Sequence, residues 1–265
     1  DHHKKDLSDQ KFQVSKEILQ RSQYYSDIAS SLQKYIEKII VGFTKNLQIQ
    51  NKNSSLCYAG GVAYNCSANY QIIKSGHYKD IFIQPAAGDS GGALGCALAL
   101  DFIISGKRRS KYLHTYLGKS YSNDEIKNYL EKNGISFKFY ENFDDINKII
   151  SKEITNEKII GWFQNSFEFG PRSLGNRSIL ADPRFSKTKK IVNSKIKFRE
   201  LFRPFAPSVI DKYAKEYFEL DNDLSRLQPF KFMLSTVNVR EKYKNNLQAI
   251  THVDGTARVQ IVEEK

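Results

Sequence analysis

Between Lys16 and Gln48 the apolar residues Leu19, Ile28, Leu32, Tyr35, Ile36, Ile39, Ile40, Phe43 and Leu47 recur at three- and four-residue spacing. That period predicts one face of a long amphipathic helix. A different grammar follows. Leu56–Ala59 reads as a short buried strand, Gly60-Gly61 breaks it, and a helical stretch runs to Ser75 and stops at Gly76. The unit then repeats as strand Ile81–Gln84, the turn PAAGDSGG, and a helix from Ala93 to Ser105 closed by Gly106. Farther on, the pattern predicts helices over Asp124–Lys132 and Phe143–Thr155. Strands are expected over Ile135–Tyr140, Lys158–Gln164, Lys231–Val239 and Ala257–Val262. Alternating strands and helices predict an α/β fold. The basic, irregular stretch after Gly106 predicts a linker, 107–123, between one domain over residues 1–106 and a second over 124–265.

Composition narrows the partners. The 265 residues carry 41 Lys+Arg against 29 Asp+Glu, a net charge of +12, with a mean hydropathy of −0.53. The longest apolar stretch, Ala93 to Ile104, is interrupted by Asp101 and is too short to span a bilayer, so no membrane segment is expected. The start, DHHKKDLSDQ, has no apolar core of a secretory signal. Cys57, Cys66 and Cys96 are too few and too irregularly spaced for a disulfide framework or a thiolate zinc site, which predicts a cytoplasmic protein. The charge suggests an anionic partner. Most of the lysines, however, are interspersed with Asn and Ile and read as solvated helix faces.

Two glycine-rich turns offer the first candidate chemistry. Where a strand gives way to a helix through glycines, backbone N–H groups and the helix dipole face an incoming anion. AGGVAYN presents Gly60, Gly61 and Val62, with Asn65 one turn in; AAGDSGG presents Gly88, Gly91 and Gly92, with Asp89 at its tip. A carboxylate among phosphate-binding amides suits a metal that bridges to the phosphates. GDSGG also surrounds the nucleophile of trypsin-like serine proteases, but here it opens an apolar helix in an α/β pattern, which argues against a catalytic Ser90.

The second cluster is EFGPRSLGNRSILADPR, where Arg172, Asn176 and Arg177 lie among turn residues suited to clamping an anion. In KIKFRELFRPFAPSV, Lys197, Arg199 and Arg203 alternate with Phe198, Phe202 and Phe205; the phenylalanines and prolines are expected to be buried, favouring one specific anionic ligand. In THVDGTARVQ, His252, Asp254 and Arg258 surround a DG turn and form a candidate third wall. His114 falls in the predicted linker and is given no role.

CYAGGVAYNCSAN, IFIQPAAGDSGGALG, GWFQNSFEFGPRSLGNRSILADPR, IKFRELFRPFAPSV and THVDGTARVQ, in this order, resemble the O-carbamoyltransferases of the nodulation and antibiotic-tailoring type. The resemblance runs from Phe12 to the end. It implies the back half of an actin/Hsp70-like lobe, similar to the tRNA threonylcarbamoyl-transfer ATPases, followed by a YrdC-like α/β domain. It further implies that carbamoyl phosphate and ATP give carbamoyl-adenylate, whose carbamoyl group passes to the hydroxyl of a sugar or secondary metabolite. By motif, Lys197, Arg203, Arg172 and Arg258 would act on the carbamoyl phosphate and the adenylate phosphate. Gly60, Gly61, Val62, Asn65, Gly88, Asn176 and Arg177 would line nucleotide sites, and Asp89 would hold a divalent metal, Fe2+, Mg2+ or Mn2+. The family's upstream His-x-x-x-His and downstream LNTSFN-type segment do not occur in these residues, so the chain is expected to be partial and inactive alone. The competing expectation, from the charge and the interleaved phenylalanines, is a non-catalytic RNA-binding module. Cations placed beside glycines weigh against nucleic acid as the partner.

Overall fold

The computed structural model describes residues 16–108, 114–220 and 228–264. The predicted long helix is present as α1 (Lys16–Asn51), about 54 Å long at 1.5 Å per residue. Its second half carries Ile40 and Val41 against the core, and the Tyr78 hydroxyl donates to the carbonyl of Thr44. Both strand–glycine–helix units form. Strand β1 (Ser55–Tyr58) leads through a 3-10 turn (Gly61–Tyr64) into α2 (Cys66–Lys74), and β2 (Asp80–Ile83) leads into α3 (Asp89–Ser105). β1 and β2 pair in parallel, Ser55 opposite Asp80 and Tyr58 opposite Ile83, with α2 as the crossover that parallel strands require. α3 starts earlier than predicted because Gly88 caps it and its first turn is built from Asp89, Ser90 and Gly91. Gly106, at φ 66°, ends it as expected.

The helices α4 (Asn123–Lys132) and α5 (Phe143–Thr155) follow, α4 entered through a capping box between Ser122 and Glu125. The strand predicted over 135–140 is not formed. Ile135, Phe137 and Phe139 are exposed there, and without a partner to take up its backbone groups an alternating segment gains nothing from becoming a strand. β3 (Ile160–Phe163) pairs antiparallel with β4 (Arg177–Leu180). Then come α6 (Ser186–Ile191), a wide π turn (Val192–Ile196), β5 (Ser208–Ile210), α7 (Asp211–Tyr217), α8 (Gln228–Lys231), β6 (Val237–Asn238), α9 (Glu241–Lys244), β7 (Thr256–Ala257) and β8 (Gln260–Val262). β6 pairs antiparallel with β7, and β5 pairs in parallel with β8. The architecture is mixed α/β, in four two-stranded sheets among the described residues.

The predicted linker lies partly, at residues 109–113, outside the described residues. On either side of it the chain contributes to one buried cluster, with Ile72, Ile81 and Ile83 from before and Leu174, Phe218, Phe230, Val237, Val259 and Ile261 from after. Two amide side chains fasten these stretches together. Buried Asn69 donates to the carbonyls of both Ala63 and Leu234. The Gln228 amide accepts from the Ile83 N–H (3.0 Å) and donates to its carbonyl (2.9 Å), acting on β2 as a neighbouring strand would.

Candidate functional site

Because β1 and β2 run in parallel, both glycine turns emerge at their carboxyl ends, where open α/β sheets bind ligands. The Gly60 N–H donates to the carbonyl of Ala87 (2.8 Å), which joins the turns. Between them lies a cleft of about 310 Å³ lined by Gly60, Gly61, Gly88 and Asp89, with Gln84 and Gly91 on its wall. A side chain at Gly91 has no room: its Cβ would lie 2.1 Å from the Ala86 carbonyl oxygen. Two residues expected here are placed otherwise. Val62 points outward, 57% exposed, and Asn65 caps α2 by accepting from the Ala68 N–H while exchanging hydrogen bonds with Gln33 of α1. Asp89 is exposed in the first turn of α3. Among the described residues no three His, Cys, Asp or Glu side chains gather as a metal site, so the described residues do not by themselves complete a metal site at Asp89.

The arginines gather nearby. Arg258 follows β7 and has buried Val259 behind it. Burial pushes its guanidinium below the ordinary arginine range, and Arg172 and Arg199 push the same way, partly opposed by Cys66. The Nε atoms of Arg172 and Arg258 are both buried without a hydrogen-bond partner. Two neighbouring cations with buried, unsatisfied donors are costly in the free protein, and a bound anion removes that cost. Arg172 also stands over the Tyr64 ring, 6.0 Å from its centroid.

The loop carrying Arg172 is held by Glu168. Its fully buried carboxylate accepts from the amides of Leu174 (2.7 Å) and Asn176 (2.8 Å) and from Arg177 Nε (2.8 Å). Burial opposes its ionisation, but Arg177 and those amides outweigh burial and hold it below the usual carboxylate range. Arg177 is thereby engaged as an ion-pair partner, and buried Asn176 donates to the Ser166 carbonyl (2.8 Å). The signal was legible, since Glu168 is the lone carboxylate in the stretch FEFGPRSLGNR.

Lys197 and Arg203 are not brought to the arginine pair in the same way. Lys197 ends the π turn on the surface, and Arg203 is exposed and paired with Glu200 (2.8 Å). Arg199 lies closer to the pair electrostatically; its Nε donates to buried Asn193 (2.8 Å), and its guanidinium covers Phe205. Asn193 in turn donates to the Arg203 carbonyl (2.8 Å), bracing the whole turn. Phe198 and Phe202, expected inside, are 81% and 69% exposed, because the π turn and a positive φ at Phe198 swing this segment outward.

His252 completes this wall. Burial pushes it below its ordinary 6.5; Asp254 pulls it up, and Arg258 and Lys189 push it farther down. The folded protein therefore keeps it neutral where the unfolded chain would take a proton. Its contribution to stability is complete above the ordinary value and is lost as pH falls below it. Urea midpoints measured in steps below pH 6.5 should decline, and His252→Gln should flatten that part of the decline.

The sequence itself places this site in a family. Residues 3–98 match the family model described as carbamoyltransferase N-terminus, and residues 151–265 match carbamoyltransferase C-terminus. The chain belongs to the carbamoyltransferase family. It is similar to nodulation protein NolO of Bradyrhizobium diazoefficiens, 41% identical over 96% of this chain and 46% of that protein. Nodulation protein NolNO of Sinorhizobium fredii is 42% identical over 91% of the chain and 35% of its own length. A 3'-hydroxymethylcephem-O-carbamoyltransferase of Streptomyces clavuligerus is 30% identical over 80% of the chain and 37% of its own length. The chain thus spans less than half the length of these relatives.

Proposed function

We propose that the protein belongs to an ATP-dependent O-carbamoyltransferase that moves a carbamoyl group from carbamoyl phosphate, by way of carbamoyl-adenylate, to a hydroxyl of a sugar or other small metabolite. The observation that carries this reading is the arginine pair whose Nε donors are buried without a partner. A phosphate-bearing substrate supplies the charge and the acceptors that they lack. The name of the Streptomyces relative, which specifies transfer to oxygen, supports the reaction class. In this reading water first cleaves carbamoyl phosphate to carbamate and inorganic phosphate; the carbamate oxygen then displaces pyrophosphate from the α-phosphate of ATP, and the acceptor oxygen displaces AMP from the carbamoyl carbon as its proton is lost. Arg172 and Arg258 bind the phosphate and stabilise its developing charge, and Lys197 and Arg203 close on it from the surface turn. The glycine cleft receives ATP through the amides of Gly61 and Gly88. No step is assigned to a metal, for which the described residues offer one carboxylate.

We assign residues 1–106 to the actin/Hsp70-like lobe and 124–265 to the YrdC-like domain, and we place the protein in the cytoplasm. No helix among the described residues is long and apolar enough to cross a membrane, and the three cysteines are free thiols. The test is ATP/pyrophosphate exchange dependent on carbamoyl phosphate. Arg172→Ala should lower it roughly a hundredfold, as loss of a charge-assisted contact predicts. Unchanged exchange in Lys197→Ala and Arg203→Ala would remove those two residues from the site.

One observation favours a second reading. Phe198 and Phe202 are exposed beside Lys197 and Arg203, the combination of rings and cations that single-stranded RNA binding uses. That reading requires RNA binding with a steep salt dependence, and its absence at physiological salt discards it.

A further inference from the structure

Tyr64 touches both halves of the site. It closes the 3-10 turn that follows the first glycine pair, with its neighbour Ala63 fully buried and the Ala63 N–H bonded to the Gly60 carbonyl, so its backbone is fixed to that turn. Its hydroxyl accepts from the Gly88 N–H (3.1 Å), the amide that opens the second glycine turn. Its ring edge packs so closely on Gly88 that a Cβ there would lie 3.3 Å from Cε2. The same ring carries the Arg172 guanidinium. The loop bearing Arg172 rests on the strand end just before Gly88, where a side chain at Gly170 would meet Ala86 at 3.3 Å. One aromatic residue therefore occupies an amide donor of the cleft while it holds a cation of the arginine pair.

We infer that Tyr64 is a positioning residue that couples the two halves: an anion taking the Gly88 amide displaces the Tyr64 hydroxyl, moves the ring and frees Arg172 for its own ligand. Coupling of this kind needs no direct contact between ligands, since both bias the position of a single side chain. The cost of the exchange is small. The amide gives up a neutral acceptor for a charged one, and the released hydroxyl can donate to the same anion. A cation–π contact at this distance is weak enough to be given up for a phosphate. The inference rests on the proposed assignment of the cleft to a nucleotide and of the arginines to a phosphate.

The test is calorimetric and needs no turnover. Inorganic phosphate is titrated into the protein with and without saturating ADP. In the unmodified protein ADP should tighten phosphate binding about fivefold, the lower end of usual coupling. In Tyr64→Phe, which keeps the ring and loses the hydroxyl, the effect should fall below about twofold, with the affinity for either ligand alone nearly unchanged. Gly88→Ala, whose methyl presses on the ring, should tighten phosphate binding without ADP. Coupling of full size in Tyr64→Phe, no coupling in the unmodified protein, or no effect of Gly88→Ala overturns the inference. Arg258→Ala separates it from the reading beneath it: phosphate binding that survives this change removes the arginine site itself, whereas lost binding with absent coupling removes the role of Tyr64 alone.

Discussion

Arg258→Met should make the protein more stable and far poorer at binding its anion. The side chain is similar in length, yet it brings no charge into the field of Arg172 and Arg199 and leaves no buried Nε to satisfy. Relief of that strain should be worth about 1–2 kcal/mol, since apolar replacements of buried charged groups are often neutral to stabilising. The corresponding rise in Tm is about 2–8 °C, at about 2–4 °C per kcal/mol for a chain of this size. Affinity for carbamoyl phosphate, or for inorganic phosphate as its stand-in, should fall roughly a hundredfold, as expected for loss of a charged hydrogen-bonding group. Thermal unfolding and calorimetry on the same sample check both halves of the expectation. A fall in Tm with unchanged affinity would make Arg258 an ordinary structural residue. Saturating phosphate should stabilise the unmodified protein and leave the variant untouched, because a ligand stabilises only the state that binds it.

Glu168→Ala should act in the opposite direction on stability and in the same direction on binding. Removing this carboxylate leaves the amides of Leu174 and Asn176 without their acceptor and strips Arg177 of its partner. Breaking a pair whose acidic member is buried costs about 3–5 kcal/mol, or roughly 10 °C in Tm. The loop that carries Arg172 loses its fixed shape with it, so anion affinity falls although no ligand contact has been deleted. Glu168→Gln keeps the volume and one acceptor and should recover part of the stability. The pH dependence has a definite sign. Glu168 is held below its ordinary 4.5, so its stabilisation is complete above that value and is lost as pH falls through the folded-state pKa. A Tm that is insensitive to Glu168→Ala would contradict the role assigned to this carboxylate.

How far the sequence could be read follows from how local each signal is. Helix α5 has a cap at Asn142 and a continuous 3.6-residue period, and its observed bounds match the expected Phe143–Thr155. The first strand–glycine–helix unit was equally plain, because a glycine pair between an apolar strand and an apolar helix leaves few other conformations, whereas in the second the pair Gly91-Gly92 lies inside α3. Residues 135–140 carry a signal that is not local. Their alternation is that of a strand, but a strand forms only where another segment supplies its hydrogen bonds, and that is a tertiary fact. β4 and β5 were missed for the converse reason: β4 begins with the charged Arg177, β5 is three residues long, and both exist because β3 and β8 lie beside them.

The arginines divide in the same way. That several would face an anion was readable from their company of glycines. Which ones converge depends on side chains remote in sequence, with Glu168 folding the loop of Arg172 and buried Asn193 pinning Arg199 while Lys197 and Arg203 remain on the surface. Burial of Phe198 and Phe202 was expected from their hydrophobicity, and it failed because the π turn directs that segment outward.

The Gln228 clasp on Ile83 bears on how the protein is made. The two residues are 145 positions apart, so the edge of β2 waits on a side chain that leaves the ribosome long after it. At about 5–20 residues per second the delay is about 7–30 s. Throughout that interval the backbone of Ile83, which lies in the core of the finished molecule, has only water or a foreign strand to bond with. Chaperone capture of the nascent chain would matter most in this window, and conditions that slow elongation lengthen it.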